Sequence, residues 1–107
     1  KLEVMSQGDK VFINKMVRLF IKTSPQYIAQ LIEHFENRDI PAIEKVAHTI
    51  KPSIVLMGIK SIENEIMDLE KFSSKGLKAI ELEDLVNVVV TVLTEVISEL
   101  EMDFKFD

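Results

Sequence analysis

The stretch IPAIEKVAHTIKPSIVLMG, residues 40–58, sets Ile43, Val46, Ala47, Ile50, Ile54 and Met57 three and four positions apart. That is the period of one face of an α-helix, not of a strand. At about 100° per residue, His48 falls roughly 150–180° away from this stripe, so its imidazole points at solvent. A lone histidine on an apolar face is by default a hydrogen-bonded core residue; a continuous helix here excludes that default. Asp39 can cap the helix, Pro41 is harmless in its first turn, and Gly58 suits its carboxyl end. Pro52 is the oddity. In mid-helix it removes the amide that would serve the carbonyl of His48, at a cost of about 3 kcal/mol in an ordinary helix. Compensation is expected as a bend that the packing needs, or as a shape that serves a partner.

Outward from this segment the same period recurs. A first helix is predicted from about Asp9 to Lys22, with Phe12, Met16, Leu19 and Phe20 on one side. Val11, Ile13 and Val17 widen its stripe, as for a helix packed between two others or one carrying a docking surface. Ser24-Pro25 reads as a hydroxyl cap and a first-turn proline. It opens a second helix with Ile28, Leu31, Ile32 and Phe35 that ends near Asn37-Arg38. Ser61 would cap a fourth, with Ile62, Ile66 and Leu69 inward, closing by Phe72. Residues 73–76 read as a loop. The last helix, about Leu82 to Met102, aligns Leu85, Val89, Leu93, Val96 and Leu100; its β-branched residues lower helix propensity, yet the period is too regular for a strand. Amphipathic helices with short connections bury their stripes most simply in a bundle. The predicted fold is all-α: an antiparallel up-and-down four-helix bundle with an additional N-terminal helix covering one end.

Bulk properties narrow the function. The 107 residues fit one domain, 1–107, and the Lys at position 1 suggests excision from a longer chain. Without cysteine there is no disulfide framework, thiol nucleophile or thiolate metal site. A net charge of −5 argues against a nucleic-acid partner. The apolar runs, such as Val88 to Val90, are far below the ~20 residues of a membrane span. No signal peptide is visible at charged Lys1 and Glu3. A monomer is expected.

The solvent face around His48 carries Pro41, Glu44, Lys45, Lys51, Pro52 and Val55. Lys45 and Lys51 stand one turn before and one turn after the imidazole, within side-chain reach. A nucleophilic imidazole must be neutral with one nitrogen free, a state ordinary at neutral pH. Once phosphorylated, the ring carries nearly two negative charges that the lysines can partly neutralise. On these residues alone, an ordinary solvated helix face remains an equal alternative.

The run Ala47-His48-Thr49-Ile50-Lys51, with Gly58 ten residues after the histidine, resembles the signature of histidine-containing phosphotransfer (HPt) domains, Ala-His-x-Leu-Lys-Gly followed by a glycine at that offset. The similarity extends to Val17-Arg18-Leu19-Phe20, Ser24-Pro25, Leu31, Asp39, Ile43 and Leu69-Glu70, covering roughly residues 9–72. It implies that His48 is the phosphoacceptor, Lys51 the phosphate-facing lysine and Gly58 a packing or terminating residue. Lys45 is a second candidate for phosphate stabilisation. Pro52 departs from the family's glycine, which keeps the surface beside the imidazole low; proline is also compact.

The implied activity is phosphorelay in two-component signalling: reversible transfer between His48 and aspartates of response-regulator receiver domains. Such transfer rests on in-line positioning and charge neutralisation. With no phosphate-binding glycine loop and no carboxylate cluster, the domain is expected to be a carrier and not an ATP-using enzyme. It would have no cofactor of its own, and Mg2+ would be supplied by the receiver. Nε2 is the expected attacking atom, with Glu44 at i−4 a candidate acceptor for the other ring nitrogen and water an equal one. Docking is expected over Pro41, Glu44, Pro52 and Val55 beside the two lysines, extended by Tyr27. His34, among Glu33, Phe35 and Glu36, reads as a solvated surface residue. The favoured setting is a hybrid sensor histidine kinase, in the cytoplasm or in the cytoplasmic part of a membrane-anchored kinase, with a free-standing shuttle as the other. Two competitors remain. A non-catalytic interaction bundle predicts that His48→Gln changes nothing. A carboxylate-bridged metal enzyme needs paired Glu-x-x-His motifs, whereas Glu44 and His48 are four apart.

Overall fold

The computed structural model describes residues 10–103. Among them the order is α1 (Lys10–Glu36), α2 (Ile40–Leu56), a 3-10 turn (Lys60–Ile62), α3 (Glu63–Glu70), α4 (Phe72–Lys75) and α5 (Ala79–Asp103), with no strand. α1 lies against α2 and α5, and α3 lies against the same two, so four helices close round one core. Short connections keep successive helices antiparallel. The inward stripe of α2 is buried at all six expected positions, and Ile62, Ile66 and Leu69 face it, fully buried. Each such aliphatic side chain contributes roughly 1.5–3 kcal/mol by leaving water.

The all-helical bundle stands as expected, but the division at Ser24-Pro25 does not. α1 is one helix of 27 residues with Pro25 inside it, so the separate helix expected over the bundle end is the amino-terminal half of α1. The reason lies in phase. Val17, Phe20, Ser24 and Leu31 form a single buried stripe that continues across the proline, and breaking the helix would throw its halves out of register with the core. Ser24 is the one buried polar residue of that stripe, packed and not capping. Pro25 is exposed, so its ring sits on the solvent side, where a helix bends outward most easily. One turn earlier the Thr23 hydroxyl donates to the Leu19 carbonyl at 2.9 Å. The same phase puts Val17 in the core and leaves Leu19, expected inward, 61% exposed.

Both ends of α2 follow local chemistry. Asp39 Oδ1 accepts the Ala42 amide at 3.2 Å, and Pro41 sits in the first turn. At the other end Gly58 adopts φ +71. The Gly58 amide donates to the Val55 carbonyl at 3.0 Å and the Ile59 amide to Ile54 at 3.1 Å, the paired bonds of a left-handed helix stop. Gly58 is thus a terminating residue. Pro52 lies within α2 without ending it.

Beyond α2, Ser61 makes no cap; the chain enters α3 through the 3-10 turn. Residues 73–75, expected as loop, complete the one-turn α4, which stops at Gly76 with φ +66. Two side chains hold that turn: Glu44 Oε2 accepts the Ser73 amide at 2.8 Å, and Lys75 Nζ meets Asp68 at 2.8 Å. α5 begins three residues earlier than expected, with Leu82, Val86 and Ile97 joining its buried face.

Candidate functional site

His48 is on the outside of α2, its side chain 73% exposed. The inward stripe that buries Ala47 and Ile50 on either side of it forces this orientation. At about 100° per residue, Lys51 lies about 60° round the helix on one side of His48 and Lys45 about 60° round on the other. The two lysines therefore meet different neighbours.

On the Lys51 side stands Glu70, the last residue of α3 and only 12% exposed. Its Oε1 accepts from Lys51 Nζ at 2.6 Å, and its Oε2 pairs with His48 Nδ1. The hydrogen bond from Lys51, then that from His48, hold the Glu70 carboxyl below its ordinary value of 4.5. An ionised carboxylate only accepts, so the contact assigns the proton to Nδ1. In the neutral ring the free lone pair is then on Nε2, the expected attacking atom. Lys51 and His48 thus share one carboxylate, an oxygen each.

Glu44 does not fill the role expected of it. Its carboxylate is turned to the Ser73 amide and ties α2 to α4, while Glu70 takes the Nδ1 position. The sequence had marked Leu69-Glu70 only as part of a family likeness and gave Glu70 no task. A signal existed: Leu69 must face α2, which places the next residue at the seam between the two helices.

On the other side, Lys45 is exposed and faces α1. Pro41, Pro52 and Val55 are also exposed, Val55 by 50%, so the expected docking positions form one outward strip with His48 among them. The structure extends this strip across α1. Leu56, 37% exposed, lines a groove with Met16, Leu19, Thr23 and Tyr27. A second groove between α1 and α2 is lined by Tyr27, Gln30, His34, Ala42, Lys45, Val46 and Thr49. His34 is therefore half-buried in a groove, not the freely solvated residue its charged neighbours suggested. Its spacing of seven from Tyr27, two helical turns, is the signal that places both on one face.

Among the described residues no three His, Cys, Asp or Glu side chains converge as a metal site, and no helix is long and apolar enough to cross a membrane. The imidazole stands on the open surface of the described residues. The family model described as Hpt domain matches residues 15–102, and the chain belongs to that family. Hpt domains carry a phosphoryl group on histidine in two-component phosphorelays and have no ATP site of their own. No curated protein and no solved structure matches the chain.

Proposed function

We propose that His48 is the phosphoacceptor, exchanging a phosphoryl group with receiver-domain aspartates. The Nε2 lone pair attacks the phosphorus of an aspartyl phosphate; the N–P bond forms as the aspartyl O–P bond breaks, and the aspartate leaves as a carboxylate. The reverse step passes the group to a second receiver. The proton stays on Nδ1 throughout, so the phosphorylated ring gains positive charge that faces the Glu70 carboxylate. Lys51 lies next to the phosphoryl oxygens and partly neutralises them, with Lys45 a second ammonium on the opposite flank. The observation that carries this reading is an exposed imidazole whose Nδ1 is held by a carboxylate, while Nε2 has no partner among the described residues.

The receiver docks on the outward strip Pro41, Lys45, Pro52 and Val55, continued by Leu56, Leu19 and Tyr27 across the groove. An apolar centre with a charged rim suits a transient complex. Mg2+ belongs to the receiver, and this chain contributes no cofactor. The domain acts as a monomer over residues 1–107, in the cytoplasm, as the phosphotransfer part of a hybrid sensor histidine kinase.

Incubating the chain with a phosphorylated receiver should place acid-labile, base-stable phosphate on it. His48→Gln should keep the helical circular dichroism spectrum and carry no label. Label retained by the Gln variant would refute the assignment of His48.

A further inference from the structure

The geometry points to a second recognition element beside the phosphorylation site: the groove of Tyr27, Gln30, His34 and Lys45 receives an acidic side chain of the docking receiver. This inference rests on the function proposed above and names what the surface next to His48 selects.

Three observations support it. First, the groove is lined by Tyr27, Gln30, His34 and Lys45, each able to donate a hydrogen bond, with exposed Thr49 beside them and no Asp or Glu in its lining. Second, none of those four side chains has a hydrogen-bond or ion-pair partner among the described residues, and Asp39, the acid at the end of the groove, is engaged by the Ala42 amide. Glu44 is committed to Ser73, and Glu33 lies about 100° round α1 from His34. Thr49 is satisfied internally, its hydroxyl donating to the Lys45 carbonyl at 2.9 Å. Third, the groove adjoins the site: Lys45 and Thr49 are the α2 residues immediately flanking His48 on the α1 side. A receiver whose phosphoaspartate reaches Nε2 therefore covers it.

Unpartnered donors in a half-sheltered groove are complementary to an anion, and the covering protein is its source. A carboxylate there fixes the angle at which the receiver approaches, because it is held between α1 and α2 while the phosphoryl group is held on α2 alone. Two separate anchors define an orientation where one would leave the partner free to swivel. The chain as a whole is acidic, with a net charge of −5, so a local donor cluster is also what separates productive from repulsive encounters.

The test uses Gln30→Glu with His34→Glu, which fills the groove with negative charge carried on α1 and not on the helix that bears the ring. Two readouts are compared. Labelling of His48 by phosphoramidate, a small phosphodonor, reports the imidazole alone. Transfer from a phosphorylated receiver that is active with the wild type reports docking. The double variant should raise KM for the receiver about tenfold or more at low ionic strength, with kcat and phosphoramidate labelling unchanged. Changing one acidic residue of the receiver's docking rim to Lys should restore KM for the double variant. An unchanged KM overturns the inference, as does a parallel fall in phosphoramidate labelling. Binding of labelled inorganic phosphate to the wild type, lost in the variant while KM stays the same, would identify a free anion and also overturn it. A wild type that takes phosphate from phosphoramidate but from no receiver refutes the parent reading instead.

Discussion

Glu70 sets a graded series of transfer rates. Removing its side chain in Glu70→Ala releases the His48 ring from its one partner among the described residues. On a helix a free histidine samples about two χ1 wells and two ring flips, of which one combination directs Nε2 correctly. Orientation alone then costs about 4-fold. The carboxylate also faces a ring that becomes positive as the N–P bond forms. In a water-like dielectric one charge at about 5 Å contributes another factor of about 4. Together these give a drop of roughly 15-fold for Glu70→Ala. Glu70→Gln keeps an acceptor for Nδ1–H but not the charge, and should lose only about 4-fold. Rapid-quench measurement of single-turnover transfer from a phosphorylated receiver separates the three proteins, with circular dichroism as the control for folding. A Glu70→Ala variant that transfers at the wild-type rate would refute the positioning role. Equal rates for the Gln and Ala variants would refute the share given to orientation.

The same carboxylate makes stability depend on acid. Its value is held below 4.5 by Lys51 and His48, so the contact stabilises the fold above the ordinary carboxylate range and is lost as pH falls through the depressed value; denaturant titrations should show the wild type's advantage over Glu70→Gln shrinking from pH 6 downward into that range. Lys51→Ala should slow transfer about 10-fold with helicity intact, less than the ~10²-fold typical of a dry site because solvent screens the ammonium; an unaffected rate removes Lys51 from the mechanism. Gly58→Ala places a Cβ at φ +71, a cost of about 1 kcal/mol. Its thermal midpoint should fall by about 4–8 °C while phosphoramidate labelling of His48 is unchanged, and an unshifted midpoint would show that the left-handed stop can relax.

What could be read from the chain alone was whatever one helix decides by itself. The burial of Ile43, Val46, Ala47, Ile50, Ile54 and Met57 and the exposure of His48 are a single phase argument, and they hold together. The same is true of Asp39 and Gly58 at the ends of α2, where cap and stop are local. Glu70 is different. It meets His48 across 22 positions, and that pairing depends on how far α3 slides along α2, which neither stripe specifies. Ser24-Pro25 failed for a related reason: a hydroxyl before a proline serves equally to start a helix or to lie within one. The decision falls to the unbroken stripe of Val17, Phe20, Ser24 and Leu31. His34 was misjudged from its charged neighbours in sequence, whereas its neighbours in space are one and two turns away along α1.

Because α1 passes through Pro25 unbroken, Leu19 and His34 are borne on one rod, about 22 Å apart at 1.5 Å per residue. That helix runs beside the reactive ring. A visiting protein must match its apolar end and its donor end simultaneously, and a hinge at Ser24 would have let the two be satisfied one at a time. Continuity of one helix thereby turns two weak contacts into a single measurement of the partner's shape.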